Sequence, residues 1–175
     1  ACRGKEGRYV PVRNSWCSLA WGLVFSMTEI YVDADACPVK DEVIRVAERH
    51  GLVVHMVSDG GIRPYPSPMV RLVFVPPGPD AADDWIAEHI GLGDITITND
   101  IPLADRCLKA GAAAIRADGK PFTENSIGTA LATREIMAGL REQGAVTGGP
   151  PPFSKQDRYR FLQALETAVQ ASLRR

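Results

Sequence analysis

The stretch from Ile30 to Lys40 reads IYVDADACPVK, and the rest of the chain is organised around it. Its first three residues are strand formers, and Asp33 and Asp35 follow directly. In an extended chain the two carboxylates lie on one side, roughly 7 Å apart at about 3.3 Å per residue. Pro38 suits the first turn of a following helix, because its missing N–H costs nothing there. Such a strand–acid–helix sequence is typical of metal-dependent α/β enzymes; alternatively, one aspartate caps the helix and the other faces solvent.

Strand and helix patterns alternate along the chain that follows. Apolar residues at helical spacing predict helices over Val39–His50, Asp80–Ile90 and Ile101–Ala110. Apolar, mostly β-branched runs predict further strands over Leu52–Val57, Val70–Val75, Ile95–Thr98 and Ala113–Arg116. Three prolines within residues 64–68 indicate an extended loop between two of these strands. The alternation predicts an α/β fold, a three-layer sandwich around a mainly parallel sheet.

Two appended helices are predicted near the C-terminus. One spans Thr123–Ala138, a Gly/Pro-rich connector spans Gly139–Pro152, and Ser154 with Asp157 forms a capping-box variant that opens the last helix. The chain has 175 residues and is 45 % hydrophobic, enough for one good core. Residues 27–175 are therefore predicted to form a single domain.

Residues 1–26 differ from the rest in composition. Basic residues precede an apolar run from Trp16 to Phe25, but no A-x-A-like cleavage site follows and the run is too short to span a bilayer. Because the segment beginning at Met27 is typical of a protein start, residues 1–26 are interpreted as an N-terminal extension that is either not part of the native protein or disordered. Four cysteines without a C-x-x-C pair indicate reduced thiols and a cytoplasmic protein without membrane association.

Polar residues follow several predicted strands. Asp33 and Asp35 come after the first strand, Asp59 after the second, and Asn99 and Asp100 after the fourth. Ligands of such sheets bind beyond the carboxyl ends of the strands. Carboxylates that converge there repel one another and need a cation, and all-oxygen ligand sets suit Mg²⁺ or Mn²⁺.

The first turn of the middle helix is also acidic, with Asp80, Asp83 and Asp84. These acids either join the site or complement the positive end of the helix dipole. The net charge of −1 excludes a globally basic surface, so nucleic acid would need a local patch or metal ions. No Walker loop, serine elbow, H-E-x-x-H or G-x-G-x-x-G is present, which favours metal-assisted phosphoryl hydrolysis.

Five sequence blocks together resemble a known family. They are, in order, Asp33-Ala-Asp35-Ala-Cys37-Pro38, Asp80-Ala-Ala-Asp83, Thr98-Asn-Asp100-Ile-Pro-Leu-Ala104, Gly148-Gly-Pro150 and Asp157-Arg158. The chain from Met27 to its C-terminus resembles the bacterial YaiI/YqxD family, a group without an established function whose fold is similar to PIN-type nuclease domains.

The resemblance implies a divalent-metal-dependent phosphodiesterase that cleaves single-stranded RNA. It implies Asp33, Asp83 and Asp100 as catalytic residues, which bind Mg²⁺ or Mn²⁺ together with Asp35 and Asp80. Asp84 beside Asp83 leaves open which of the two is a ligand. Asp105 is either a further acid of the site or a solvated helix residue.

Three residues near these acids are candidates for substrate binding: Lys40, Arg63 and Asn99. Lys40 can pair with the acids or with a substrate phosphate. Arg63 and Tyr65 can contact a nucleic-acid strand, or can belong to a purely structural loop. Cys37 is a poor nucleophile beside two acids and is expected to pack under the site.

Two other functions compete with the nuclease. A haloacid-dehalogenase-like phosphatase also uses D-x-D after its first strand, and Ser58 with Asn99-Asp100 partly fits that pattern. However, Cys37-Pro38 departs from it, and the chain lacks room for a cap domain. The second alternative is a non-catalytic nucleic-acid- or protein-binding module.

Overall fold

The structure is a computed structural model that describes residues 28–35, 37–78, 80–142 and 153–175. Its sheet contains five strands: β1 (Ile30–Asp33), β2 (Val54–Ser58), β3 (Val70–Phe74), β4 (Ile95–Ile97) and β5 (Ala113–Ile115). They lie in the order β3-β2-β1-β4-β5, and each neighbouring pair is parallel. The predicted α/β fold with a parallel sheet is confirmed.

The helices are α1 (Lys40–His50), α2 (Ala81–His89), α3 (Ile101–Lys109), α4 (Glu124–Glu142) and α5 (Lys155–Leu173). Each lies where a helix was predicted. The predicted end of α4 was wrong, because the helix continues past Gly139 to Glu142. One glycine costs a helix only about 1 kcal/mol, and Leu, Arg and Glu after it are good helix formers. The rest of the predicted connector, residues 143–152, and the predicted extension, residues 1–26, lie outside the described residues.

Helices cover both faces of the sheet. Ile30 and Val32 of β1 are buried in a cluster with apolar residues of α1 and α5, including Phe161 and Leu165. Tyr31 of β1 points to the opposite face, in a cluster with residues of α2 and α3. The predicted three-layer sandwich is confirmed. The last helix is more than an appendage, because it forms one layer together with α1.

The strand order places a topological switch point between β1 and β4. From β1 the chain builds outward through β2 to β3, and after α2 it returns to the other side of β1. The connections that leave β1 and β4 therefore diverge to opposite faces of the sheet. A crevice opens between the carboxyl ends of two such strands, and ligands of open α/β sheets bind there.

Local sequence accounts for several helix ends. Gly51 ends α1 with φ +67°, in the left-handed region that glycine adopts readily, and its N–H donates to the carbonyl of Ala47. Ser154 opens α5 through the predicted capping box with Asp157. The prediction for Pro38 was wrong, because α1 begins at Lys40 and Pro38 lies in the preceding turn. Across the described ranges, no helix combines the length and apolar character needed to cross a membrane.

Candidate functional site

The candidate site lies at the switch point, beyond the carboxyl ends of β1 and β4. Asp33 is the last residue of β1, and Asp100 is the N-cap of α3, just after β4. A narrow crevice beside Asp33 is lined by Asp33, Cys37, Ile97, Thr98, Asn99 and Ala117, and Asp100 is close enough to raise the pKa of Asp33. The structure therefore brings together the two acids that the sequence placed after the first and fourth strands.

Thr98 lies between these two aspartates. Its buried hydroxyl accepts a hydrogen bond from the Asp100 N–H at 3.0 Å and lies 3.5 Å from Oδ2 of Asp33, a long contact for a hydroxyl. The Asp100 Oδ2 accepts from the Leu103 N–H at 3.0 Å and caps α3. Asp100 is therefore a structural cap as well as a site carboxylate, and Thr98 holds its backbone beside Asp33.

Asp33 lies partly buried at the end of its strand. Burial raises the pKa of its carboxyl group, and repulsion from Asp35 and Asp100 adds to the effect. Hydrogen bonds from the Asp35 backbone and the Thr98 hydroxyl act in the opposite direction. The ionised form of Asp33 therefore gains from any cation that enters the crevice.

Asp83 adds a carboxylate from a third element, the first turn of α2. Burial raises its pKa to about 6, with further contributions from repulsion by Asp100, Asp33 and Asp80. Arg106 of α3 acts in the opposite direction. Three acids that are far apart in sequence, Asp33, Asp83 and Asp100, thus share one electrostatic environment.

The neighbouring acids have different surroundings. Asp84 is exposed and pairs with Arg106 at 2.7 Å, and Asp105 pairs with Lys109 one helical turn away at 2.6 Å. Among Asp83, Asp84 and Asp105, the structure directs Asp83 toward the shared acidic environment and pairs the other two with cations.

Asp80 is the N-cap of α2 and has a left-handed backbone, φ 62°, which is unusual for a residue with a side chain. It makes no side-chain cap hydrogen bond, and its charge contributes to the raised pKa of Asp83. Backbone conformations of this kind cost about 1–3 kcal/mol and cluster at functional sites.

Asp35 connects the end of β1 to the turn after β2. It accepts hydrogen bonds from the Ser58 hydroxyl and from the Asp59 N–H, the latter at 3.2 Å. Ser58 is fully buried. Its hydroxyl therefore serves the packing of this turn, an arrangement that the phosphatase pattern does not require.

Of the three predicted substrate-binding residues, Asn99 lines the crevice, and Lys40 and Arg63 do not. Asn99 is exposed on its rim, and its Oδ1 accepts from the Ala117 N–H at 3.3 Å. Lys40 begins α1, close enough to the Cys37 thiol to favour its ionised form. Arg63 is exposed in the proline-rich loop, whose Tyr65 packs against the core. The structure thus places Asn99 at the crevice and Arg63 on a more distant surface loop.

Cys37 lines the crevice and packs against the main core cluster. Burial raises the pKa of its thiol to about 11. Since the thiolate is the reactive form, Cys37 is unsuited to nucleophilic attack, as the sequence predicted.

The donor set suits a hard divalent cation in its chemistry, because every candidate ligand is a carboxylate oxygen. Within the described part of the chain, no group of three or more His, Cys, Asp or Glu side chains lies close enough to hold an ion as placed. Mg²⁺ commonly keeps several waters and uses one or two protein carboxylates plus substrate phosphate. An ion here would therefore have at most two of these carboxylates as ligands.

Three cations that the sequence motifs did not assign to the site lie beside the crevice. Arg116, Lys120 and Arg160 line a cleft of about 760 Å³ that also contains Asn99 and Asp35. Residues 116–120 directly follow β5, so the rule that ligands bind beyond strand ends points to them as well. Arg160 lies on α5, and only the packing of that helix brings it here.

The chain is similar to proteins from several bacteria. It is 64 % identical to a UPF0178 protein of Parvibaculum lavamentivorans over 85 % of this chain and 98 % of the relative. It is 62 % identical to a UPF0178 protein of Rhodospirillum rubrum over 82 % of this chain and 96 % of the relative. It is 60 % identical to a UPF0178 protein of Paramagnetospirillum magneticum over 85 % of this chain and 98 % of the relative.

No solved structure matches the chain at a significant level. The sequence pattern of the uncharacterized YaiI/YqxD family matches residues 31–171, which include all five strands except Ile30 and almost all of the last helix. The chain therefore belongs to the YaiI/YqxD family.

Proposed function

We propose that this protein is a divalent-metal-dependent phosphodiesterase that hydrolyses single-stranded RNA. The observation that carries the proposal is the convergence of Asp33, Asp83 and Asp100 from three separate elements at the switch point. The resemblance of the sequence blocks to PIN-type nucleases supports the same reaction. A cytoplasmic location, where RNA is abundant and thiols stay reduced, is part of the proposal and fits the free Cys37 and Cys107.

Asp33 and Asp100 would hold Mg²⁺ or Mn²⁺ together with waters and the substrate phosphate, with Asp35, Asp80 and Asp83 at the edge of the site. When bound, such an ion polarises the phosphoryl group and lowers the pKa of water. Thr98 orients Asp33 and Asp100, and Asn99 offers its amide N–H groups to a phosphate oxygen. Lys40 and Arg63 contribute positive charge to hold the strand.

The chemical step needs a proton acceptor, and Asp83 suits this role. Its pKa of about 6 leaves it ionised at neutral pH yet basic enough to accept a proton from water. The water oxygen forms a bond to phosphorus while the bond to the leaving ribose oxygen breaks. The water proton passes to Asp83, and the leaving oxygen takes a proton from solvent.

The test is cleavage of a 5′-labelled single-stranded RNA with Mg²⁺ or Mn²⁺. Asp33→Asn, Asp83→Asn and Asp100→Asn are each expected to lower the rate at least 100-fold, on the order of one lost transition-state contact. Asp84→Asn and Asp105→Asn are matched controls expected to stay within about twofold, because their partners are Arg106 and Lys109.

The same assay separates the alternatives. Absence of cleavage with either metal, or cleavage that persists in EDTA, would contradict the nuclease. Turnover of p-nitrophenyl phosphate with a fluoroberyllate adduct on Asp33 would indicate the phosphatase. RNA affinity without cleavage would indicate a binding module.

A further inference from the structure

The cleft of about 760 Å³ continues directly from the crevice of the acids, because Cys37, Asn99 and Ala117 line both. Its volume is within the range of small-molecule and nucleotide pockets. Arg116 and Lys120 come from the turn after β5, and Arg160 comes from α5. The cleft therefore places three cations next to the proposed cleavage position.

Arg116 is held in place by its surroundings. Its guanidinium carbon lies 5.9 Å from the centre of the Phe122 ring, and its backbone N–H donates to the Lys120 carbonyl at 2.9 Å. Its Nε–H is buried and makes no hydrogen bond to any part of the chain that the structure describes. The Arg116 side chain is nevertheless 43 % exposed, so the rest of its guanidinium can reach an anionic acceptor in the cleft.

The turn that carries Arg116 and Lys120 is pressed against α5. Gly119 has φ +84°, and a Cβ there would lie 2.5 Å from the backbone carbon of Arg160 and 2.6 Å from the nitrogen of Phe161. Only glycine permits both this conformation and this approach. The close contact brings the two cations of the turn beside Arg160.

Phe153 forms another wall of the cleft and remains partly exposed. The Arg158 guanidinium lies 5.5 Å from the centre of its ring and pairs with the buried Glu42 of α1 at 2.7 Å. The ring is therefore anchored to the protein and still offers surface on which a base can stack.

The carboxylates of the cleft leave Arg116 and Lys120 only loosely paired, whereas Arg160 is paired closely with Asp157. Asp157 caps α5 through Ser154 and pairs with Arg160. Asp118 lies 3.9 Å from Arg116 and 3.8 Å from Lys120, at the outer limit of an ion pair. Asp35 is held by Ser58 and Asp59. Arg116 and Lys120 thus keep most of their capacity to bind phosphate.

We infer that this cleft binds the phosphate backbone of a single-stranded nucleic acid beside the acidic site. Arg116 and Lys120 contact phosphate oxygens, and Phe153 stacks a base. The inference rests on the proposed function and deepens it, because it identifies the surface that holds the substrate strand next to the bond to be cleaved.

The test measures the affinity for a fluorescein-labelled oligouridine of about ten nucleotides. Fluorescence anisotropy reports the binding, in EDTA and at several NaCl concentrations. Arg116→Ala and Lys120→Ala are each expected to weaken binding roughly tenfold, because each removes a charge-assisted hydrogen bond to phosphate. Each should also reduce the slope of log K against log salt by about 0.7, the value for one lost contact to a single strand.

Phe153→Ala is expected to weaken binding at least fivefold without a change in this slope, because stacking is uncharged. Arg45→Ala is the matched control, because Arg45 is an exposed cation of α1 outside the cleft. The affinity of this variant and the salt dependence of its binding should equal those of the wild type. Lys120, whose side chain is 68 % exposed, keeps the test decisive if Arg116→Ala does not fold.

Wild-type affinity and slope in Lys120→Ala would overturn the inference even if the protein cleaves RNA. Conversely, loss of binding in that variant, with no cleavage by the wild type in any metal, would leave the cleft assignment standing and remove the nuclease. Competition by uridine monophosphate or inorganic phosphate as strong as that by the oligonucleotide would overturn the assignment to a strand.

Discussion

Asp83 and Asp84 are neighbours in sequence but meet opposite electrostatic environments. Asp84 is exposed and pairs with Arg106, whereas Asp83 faces the charges of Asp33 and Asp100. Successive residues of a helix point about 100° apart, so Asp84 pairs directly with Arg106 while Asp83 is turned toward the other acids. At the residue scale, the helical phase of α2 decides which carboxylate belongs to the site.

Asp83→Asn is expected to stabilise the protein at pH 7.5 and to have little effect at pH 4. The folded-state pKa of about 6 lies above the ordinary value of 3.8. Between about pH 4 and pH 6 the native state therefore binds more protons than the unfolded state. The free energy of unfolding therefore falls as the pH rises from about 4 to 6, and asparagine abolishes this loss. We expect a gain of about 1 kcal/mol at pH 7.5, reduced by solvent screening.

Urea unfolding of the wild type and Asp83→Asn at both pH values measures this difference. Asp84→Asn is the matched control and should change stability by less than about 0.5 kcal/mol at either pH. A loss of stability in Asp83→Asn at pH 7.5 would show that the carboxylate is compensated by contacts that asparagine cannot make.

Binding of Mg²⁺ at the acidic site is expected to weaken when Asp83 is protonated, because the site then loses one negative charge. Since Asp83 is mostly protonated below about pH 6, Mg²⁺ should raise the melting temperature at pH 7.5 and much less at pH 5. Thermal unfolding with and without EDTA measures the effect, and Asp83→Asn should reduce it at pH 7.5. An equal rise at both pH values would contradict a role of Asp83 in binding the ion.

Several elements combine a structural and a functional task at their ends. The N-terminus of α3 is formed by Asp100, whose side chain caps the helix and whose charge belongs to the acidic site. The N-terminus of α5 is formed by the capping box of Ser154 and Asp157, next to Arg160 of the cleft. The first residues of these helices therefore help to position the side chains beyond the carboxyl ends of the strands.

Asp100 allows the two tasks of such a helix end to be separated. Asp100→Ala should lower the free energy of unfolding by about 1 kcal/mol, because the Leu103 N–H loses its acceptor. Asp100→Asn should cost less, since asparagine is a comparably good N-cap, yet it removes the charge. Urea unfolding of the two variants measures the loss of the helix cap, and RNA cleavage measures the loss of the charge. Equal stability of the two variants would contradict the capping role.

The whole molecule depends on α5 to complete one face of the sheet. Phe161, Leu165 and Val169 are fully buried against the same cluster as the apolar residues of α1. Arg158 adds an ion pair to Glu42, which is almost completely buried on α1. One helix from the end of the chain thus joins the core, the cleft and the helix that follows Asp33.

Arg158→Ala is expected to lower the free energy of unfolding by about 2 kcal/mol or more, because it leaves the Glu42 carboxylate buried without a cation. Glu42→Gln in the same background should recover part of this loss. Urea unfolding of the two single variants and the double variant measures the coupling. Additive effects would contradict a direct interaction.

Much of the architecture was predictable from local patterns. The apolar runs indicate strands and helices, and Gly51 and Ser154 indicate helix ends. Each of these signals acts through neighbouring residues, so none of them depends on the tertiary structure. The order of strands and helices also predicted that Asp33 and Asp100 would meet. Pro38 and the end of α4 were predicted wrongly, because exact helix ends depend on small local free-energy differences.

The sequence by itself determined the parallel α/β fold, the carboxylates at the strand ends and the expectation of a hard cation. Only the tertiary structure decided that Asp83 faces the site and Asp84 does not, since that depends on how α2 is rotated against the sheet. It alone decided that Arg160 lines one cleft with Arg116 and Lys120, because Arg160 follows these residues by 44 and 40 positions and lies in a different element. Their proximity follows from the packing of Gly119 against α5, a long-range contact without a local sequence pattern.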